Sequence, residues 1–246
     1  MTNINDWIWN EIQQIGKDYE SIDEVAVYDE SHSKFRDIKK EGQEILTLLE
    51  AKEGATLLDI GCGTGVFVRE AFKAGLSVTA VDVSERMLQY AEEKAILEQC
   101  NIKFLKGGFL SLDLELQSFD FVTTSFSFHH LPDFYKFVAL KRINSLLNDD
   151  GILFIQDIVI AEEDYEANIN TLINRQEDLG GDFLREDAIQ HFQEEFSTFD
   201  WILDQMIQRS GFEILNKTID GGLLARYRCQ KSADKSVQSS ANASAD

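Results

Sequence analysis

Proline, cysteine and basic residues are all scarce in this chain, and each shortage narrows what it can be. Pro132 is the single proline among 246 residues, so proline punctuates the chain at one loop only. The three cysteines, Cys62, Cys100 and Cys229, show neither metal-ligand spacing nor the density of a disulfide framework. Each reads as a small apolar residue of the interior. Lys and Arg number 23 against 44 Asp and Glu, a net charge of −21. A polyanionic partner requires basic groups to displace its counterions, so tRNA, rRNA or DNA is disfavoured as a substrate, and most of the acids read as solvated surface. Long apolar runs are missing as well, and none reaches the length of a membrane span. The start, MTNINDWIWNEI, has acids at Asp6 and Glu11 and neither the basic opening nor the apolar core of a secretory signal. The expectation is a cytoplasmic protein with no membrane or nucleic-acid partner, its oligomeric state left open.

What is present is an ordinary globular composition, 43% hydrophobic and 27% charged, in a length that suits one α/β domain with an appended helical element. The organising stretch is LLDIGCGTG, Leu57 to Gly65. An apolar run from Ala55 to Ile60 reads as a buried strand and ends in Gly61, Gly63 and Gly65; Phe67, Val68, Ala71 and Phe72 then recur at helical spacing. Glycine accepts positive φ and lets a ligand approach the backbone, so strand, turn and helix together suit a nucleotide-like ligand. A second run, Ser77 to Val81, ends in Asp82, where a carboxylate at a strand's C-terminal edge can meet two ribose hydroxyls. The dinucleotide fingerprint places its third glycine at position 66, which here is Val66, so a nicotinamide cofactor is disfavoured.

These two motifs resemble the first two motifs of class I S-adenosylmethionine-dependent methyltransferases of the small-molecule type. The resemblance implies S-adenosyl-L-methionine as cofactor, with Asp59 near its methionine part and the glycine backbone lining its pocket. The cofactor-contacting set it implies is Asp59, Gly61, Cys62, Gly63, Gly65, Asp82, Val83, Met87, Gly108, Phe109 and Ser125. The family usually has an acid at about Gly108 to meet the adenine amino group; this chain departs there, leaving that contact to backbone groups or Phe109.

Beyond Asp82 the pattern alternates. Ser84 is placed to cap a helix carrying Met87, Leu88, Ala91 and Ala95; strand 102–106 follows, then a strand from Phe119 to Thr124. Phe137, Leu140, Ile143 and Leu147 form a helical stripe, and Asp150-Gly151 turns the chain into the strand Ile152 to Ile158. Five alternating strands imply a doubly wound parallel sheet, with Asp59, Asp82, Ser125 and Asp157 gathered at the strands' C-terminal ends. The runs Phe212 to Ile219 and Leu223 to Cys229 complete, by the resemblance, a Rossmann-like, mostly parallel seven-stranded sheet with an antiparallel last strand. Residues 1–50 read as an N-terminal helical cover, whose first helix carries Ile8, Ile12 and Ile15 on one face. Residues 51–230 read as the methyltransferase domain, with a helical insertion at 161–198 broken by Gly180-Gly181, and residues 231–246 as a disordered tail.

Methyl transfer from a sulfonium needs the acceptor held in line and, for a hydroxyl, thiol or carbon acid, a proton acceptor. His129 and His130 follow the fourth strand and are one pair of candidates; Asp157, ending the fifth, is another, with capping of the helical insertion as its structural alternative. Tyr28 and His32, on an N-terminal segment expected to close over the pocket, and His130 in the loop after the fourth strand are candidate acceptor-binding residues. Asp157 with Glu162, Glu163 and Asp164 has no recognisable metal-ligand spacing, so no metal is assigned. The expected activity is methyl transfer by direct displacement to a small-molecule acceptor. The alternatives are a cofactor-binding or assembly subunit without turnover and, behind it, a nicotinamide oxidoreductase.

Overall fold

A computed structural model describes residues 7–12 and 37–232. The first complete helix, α1 (Ile38–Leu49), begins where the Asp37 carboxylate accepts from the Lys40 N–H at 3.0 Å and ends at Glu50 in the left-handed region. The alternating units follow: β1 (Thr56–Ile60), α2 (Val66–Lys73), β2 (Ser77–Asp82), α3 (Glu85–Leu97), β3 (Lys103–Lys106) and β4 (Phe119–Ser125). A single 3₁₀ turn, Phe128–His130, leads to α4 (Asp133–Leu146) and β5 (Leu147–Ile158). After α5 (Tyr165–Glu194) and α6 (Asp200–Arg209) the chain closes with β6 (Phe212–Asp220) and β7 (Leu224–Lys231).

The sheet has seven strands in the order β3-β2-β1-β4-β5-β7-β6, with β1 to β5 mutually parallel and β7 antiparallel to both neighbours. Side chains alternate between the two faces of each strand, so a strand covered on both sides must be apolar at consecutive positions. On one face Leu57, Val78, Ala80, Phe121, Ile152 and Phe154 pack against Ile45 and Leu49 of α1 and Val68 and Ala71 of α2. On the other, Leu58, Val122, Leu153 and Ile155 pack against Ala139, Leu140 and Ile143 of α4 and Leu203 and Ile207 of α6. The reversal of strand order between β1 and β4 leaves a crevice at their C-terminal ends, where open α/β sheets bind ligands.

Three expectations need correction. Leu147 starts β5 and pairs with Phe119, and Asp150, with φ of 62°, sits at an irregularity before Ile152 pairs with Phe121; the strand begins earlier than the Asp150-Gly151 turn signal implied. Residues 7–12 form turns and no helix; Trp7 and Trp9 instead pack on Tyr135, with ring centroids 6.4 and 6.0 Å away, and Tyr135 Oη donates to the Trp7 carbonyl at 2.6 Å. Lys231, expected to begin the tail, belongs to β7. Ile15, Tyr28 and His32, and residues 233–246, lie outside the described residues.

α5 is two helical segments that meet at a kink where Gly180 and Gly181 leave helical geometry, the separation the glycine pair suggested. At its neck Ile160 and Phe199 form an isolated parallel bridge, with Ile160 N donating to Thr198 O and Asp200 N to Ile160 O, both at 2.9 Å.

Candidate active site

The turn after β1 is held against the end of β2. Gly61 N and Cys62 N both donate to Val81 O, at 2.8 and 2.9 Å, and Gly63 N donates to Asp82 Oδ2 at 2.8 Å. The other oxygen of Asp82 accepts from Ser84 N at 2.9 Å, so one buried carboxylate fastens the glycine turn to the N-terminus of α3. Gly61 has φ of 80°, and a Cβ there would lie 2.3 Å from Ser127 Oγ; only glycine fits. Gly63, with φ of 51°, faces open space, with no atom within 4 Å of where a Cβ would stand. The backbone at this point of the turn is therefore uncovered.

Asp59, on the last turn of β1 before the glycines, is buried and accepts from Thr123 Oγ1 at 2.6 Å. Burial pushes its carboxyl up to about 7, opposed by the Thr123 hydrogen bond and reinforced by the charge of Asp82. The Cys62 thiol beside them is also pushed well above its ordinary value, by burial and by the Asp82 and Asp59 charges, so it is held protonated and unreactive. Val83 is half-buried and Met87 buried at the start of α3, and Ser125 ends β4 opposite Gln156. Phe126 next to it has φ of 53°, an uncommon conformation for an aromatic residue and the sharpest backbone irregularity at the strand ends.

At the far side of the crevice, Phe109 is buried with its ring 5.3 Å from Phe128, and forms a wall. Gly108 is covered by Glu11: its carboxylate accepts from Leu110 N at 3.0 Å and Ser111 N at 2.7 Å, and stands 2.6 Å from where a Gly108 Cβ would be. The N-terminal segment therefore brings an acid to the place where the sequence lacks one.

His129, His130 and Asp157 come together, as expected from their strand-end positions. Asp157 is fully engaged: Oδ2 accepts from Phe128 N at 2.8 Å and His129 N at 3.1 Å, and Oδ1 from Ile158 N at 2.7 Å and His129 Nδ1 at 2.5 Å. It pins the 3₁₀ turn and does not cap the helical insertion, whose N-cap is Asp164. Burial raises a carboxyl, but the His129 imidazole outweighs it and Asp157 is held below its ordinary value. Glu195, at the end of α5, completes the group: Oε2 is 3.2 Å from His129 Nε2, and Oε1 3.9 Å from His130 Nδ1. His191 Nδ1 also contacts Glu195 Oε2, and its Nε2 meets Ser197 Oγ at 2.8 Å. Burial disfavours charge on His129, yet Asp157 and Glu195 outweigh it and raise its pKa; burial and then His129 push His130 down to about 4, a neutral imidazole.

Sequence reasoning missed Glu195, His191 and Glu11. The first two stand four residues apart on a helix, a spacing that puts both on one face; nothing local ties them to a turn more than sixty residues earlier. Among nearby aromatics, Phe128 is core, whereas Phe134 and Trp201 are mostly exposed.

Residues 57–151 match the methyltransferase domain family. An uncharacterized methyltransferase of Staphylococcus carnosus (strain TM300) is 31% identical over 152 residues, 62% of this chain and 70% of that protein. The chain belongs to the class I S-adenosylmethionine-dependent methyltransferases. A demethylmenaquinone methyltransferase of Staphylococcus aureus (strain MRSA252) is 31% identical over 144 residues, 57% of this chain; the match spans only 56% of that relative's length. The fold matches a SAM-dependent methyltransferase from Aquifex aeolicus with a TM-score of 0.61, at 21% identity, covering 85% of this chain and 97% of that one. The family's cofactor is S-adenosyl-L-methionine, and the uncovered backbone at Gly63, tied to the buried Asp82 carboxylate, fits such a ligand. Among the described residues no helix is long and apolar enough to cross a membrane.

Proposed function

We propose that this methyltransferase acts on a small, uncharged or cationic acceptor seated between the glycine turn and the His129-His130 turn, beneath α5. The observation that carries this reading is the uncovered backbone at Gly63, tied on one side by Asp82 and flanked by Asp59. Asp82, with Val83, would hold the ribose; Asp59, Cys62 and the backbone of Gly61, Gly63 and Gly65 the methionine part; and Met87, Gly108, Phe109 and Ser125 the remaining walls. S-adenosyl-L-methionine supplies an electrophilic methyl group when bound. The protein's part is to align the acceptor and exclude water. The cluster of His129, His130 and Glu195 provides the polar end of the acceptor site, and Asp157 acts through His129 as a positioning residue, since its own oxygens are taken.

The net charge of −21 supports acceptors other than nucleic acids, and three free thiols agree with a cytoplasmic setting. The relative named for demethylmenaquinone supports an apolar ring as one acceptor type worth assaying first. Isothermal titration with S-adenosylhomocysteine is the direct test: one site is expected, with affinity reduced at least tenfold in Asp82→Ala. No binding to the wild type would overturn the reading. Binding without turnover on a panel of quinol, phenol and amine acceptors would favour the cofactor-binding subunit instead.

A further inference from the structure

We propose that His129, His130 and Glu195 form a binding site for a divalent transition-metal ion of the zinc class. Each offers one ligand atom, and the three lie within 4.8 Å of one another. A tetrahedral ion with bonds of about 2.0–2.1 Å keeps its donors roughly 3.4 Å apart. His129 Nε2 and Glu195 Oε2, at 3.2 Å, already stand at that separation, and His130 Nδ1 is 3.9 Å from Glu195 Oε1. Two imidazoles with one carboxylate is a donor set suited to zinc, cobalt or iron rather than to calcium or magnesium, which take mainly oxygen.

Two further features point the same way. A metal-bound histidine nearly always donates its second ring N–H to a carboxylate, which fixes its orientation. His129 does this to Asp157 at 2.5 Å, and Asp157 is itself anchored by three backbone N–H groups. On the other flank, His191 contacts Glu195, and Ser197 fixes the far nitrogen of its ring. The residues come from the turn after β4 and from the end of α5, so an ion would join the sheet to its cover. Three protein ligands leave a further coordination position, and the side chain of His130, 31% exposed against 8% and 10% for His129 and Glu195, marks the open side. Placed at the polar end of the acceptor site, such an ion would bind an acceptor oxygen and ease loss of its proton. That last role rests on the proposed methyl transfer; the binding of the ion does not.

The untagged full chain, stripped with a chelator and dialysed, is titrated with zinc chloride in competition with a chromophoric chelator, and separately with cobalt(II) while visible absorption is followed. One equivalent should bind, with the ligand-field bands of a four- or five-coordinate cobalt centre. Glu195→Gln and His130→Asn should each weaken zinc by at least a hundredfold. Asp157→Asn should weaken it by about tenfold to a hundredfold. S-adenosylhomocysteine titrations on the same samples report whether each variant is folded and whether the cofactor reading stands on its own. A wild type that retains the homocysteine ligand yet binds no zinc overturns the proposal. So does zinc binding that is unchanged in folded Glu195→Gln and His130→Asn, or that exceeds one equivalent without being sensitive to either.

Discussion

Asp82 Oδ2 accepts the N–H of Gly63 at 2.8 Å, so the carboxylate that ends the second strand sets the shape of the turn that ends the first. Its second oxygen takes the Ser84 N–H. Asp82→Asn keeps the size and loses one acceptor, leaving a backbone donor unsatisfied at a cost of about 1–3 kcal/mol. Thermal unfolding should show that loss, and isothermal titration a drop in S-adenosylhomocysteine affinity of tenfold or more. Equal affinity in wild type and variant would show that the turn keeps its shape without the carboxylate.

Asp59 gives the protein a pH dependence of defined sign. Its folded pKa, about 7, lies above the unfolded value near 3.8, chiefly because of burial. The native state therefore holds a proton that the unfolded chain has lost, and stability from this group is greatest below pH 4 and is lost as pH rises to 7. The span is on the order of 4 kcal/mol. A cationic ligand beside Asp59 favours the ionised form, so S-adenosylmethionine should bind more tightly as pH rises from 5 to 7, releasing a proton. Titration at pH 6 in buffers of different ionisation enthalpy measures that proton, and Asp59→Asn should abolish its release.

Gly61 and Ser127 are sterically coupled. The space a Cβ would need at Gly61 is taken by Ser127 Oγ and Cβ, at 2.3 and 2.5 Å. Gly61→Ala should unfold at a clearly lower temperature than wild type. Ser127→Ala should not relieve it, because the serine Cβ remains, whereas Ser127→Gly should restore part of the loss and leave the strain of a positive φ. Identical melting temperatures for the two double variants would refute the coupling.

Glu11 and Gly108 test the seating of the N-terminal segment. Glu11→Ala removes the acceptor of the Leu110 and Ser111 N–H groups, and Gly108→Ala places a Cβ 2.6 Å from the same carboxylate. Both should loosen Trp7 and Trp9 from Tyr135 and increase their quenching by iodide. Because both break one contact, the double variant should be no worse than either single one. Additive effects would place the two residues in separate interactions.

These sites differ in how far the sequence exposes them. Leu57 to Gly65 and Asp82 are readable because the chemistry is local: a buried strand, glycines that must turn, and a carboxylate at the next strand end. The alternation of Leu57 with Leu58 and of Phe121 with Val122 between opposite faces follows from strands buried on both sides. Where packing across distant segments decides, the pattern misleads. Ile8 and Ile12 suggest a helix, but Trp7 and Trp9 find Tyr135 and hold residues 7–12 in turns. Leu147 completes a helical stripe by spacing yet is drawn into the sheet beside Phe119. Glu195 carries no local sign of its partners, because its meeting with His129 depends on the path of the two helical segments that join at Gly180-Gly181.

The bridge between Ile160 and Phe199 has a mechanical corollary. The two ends of residues 161–198 lie side by side and are hydrogen-bonded to each other, so a displacement of one end is passed directly to the other. The end of that segment grips the turn at several points besides the Glu195 carboxylate: Phe196 N donates to His129 O at 2.9 Å, Lys136 Nζ to Phe196 O and Thr198 Oγ1 to Asp133 Oδ2, so a shortened α5 would shift the His129 turn with it.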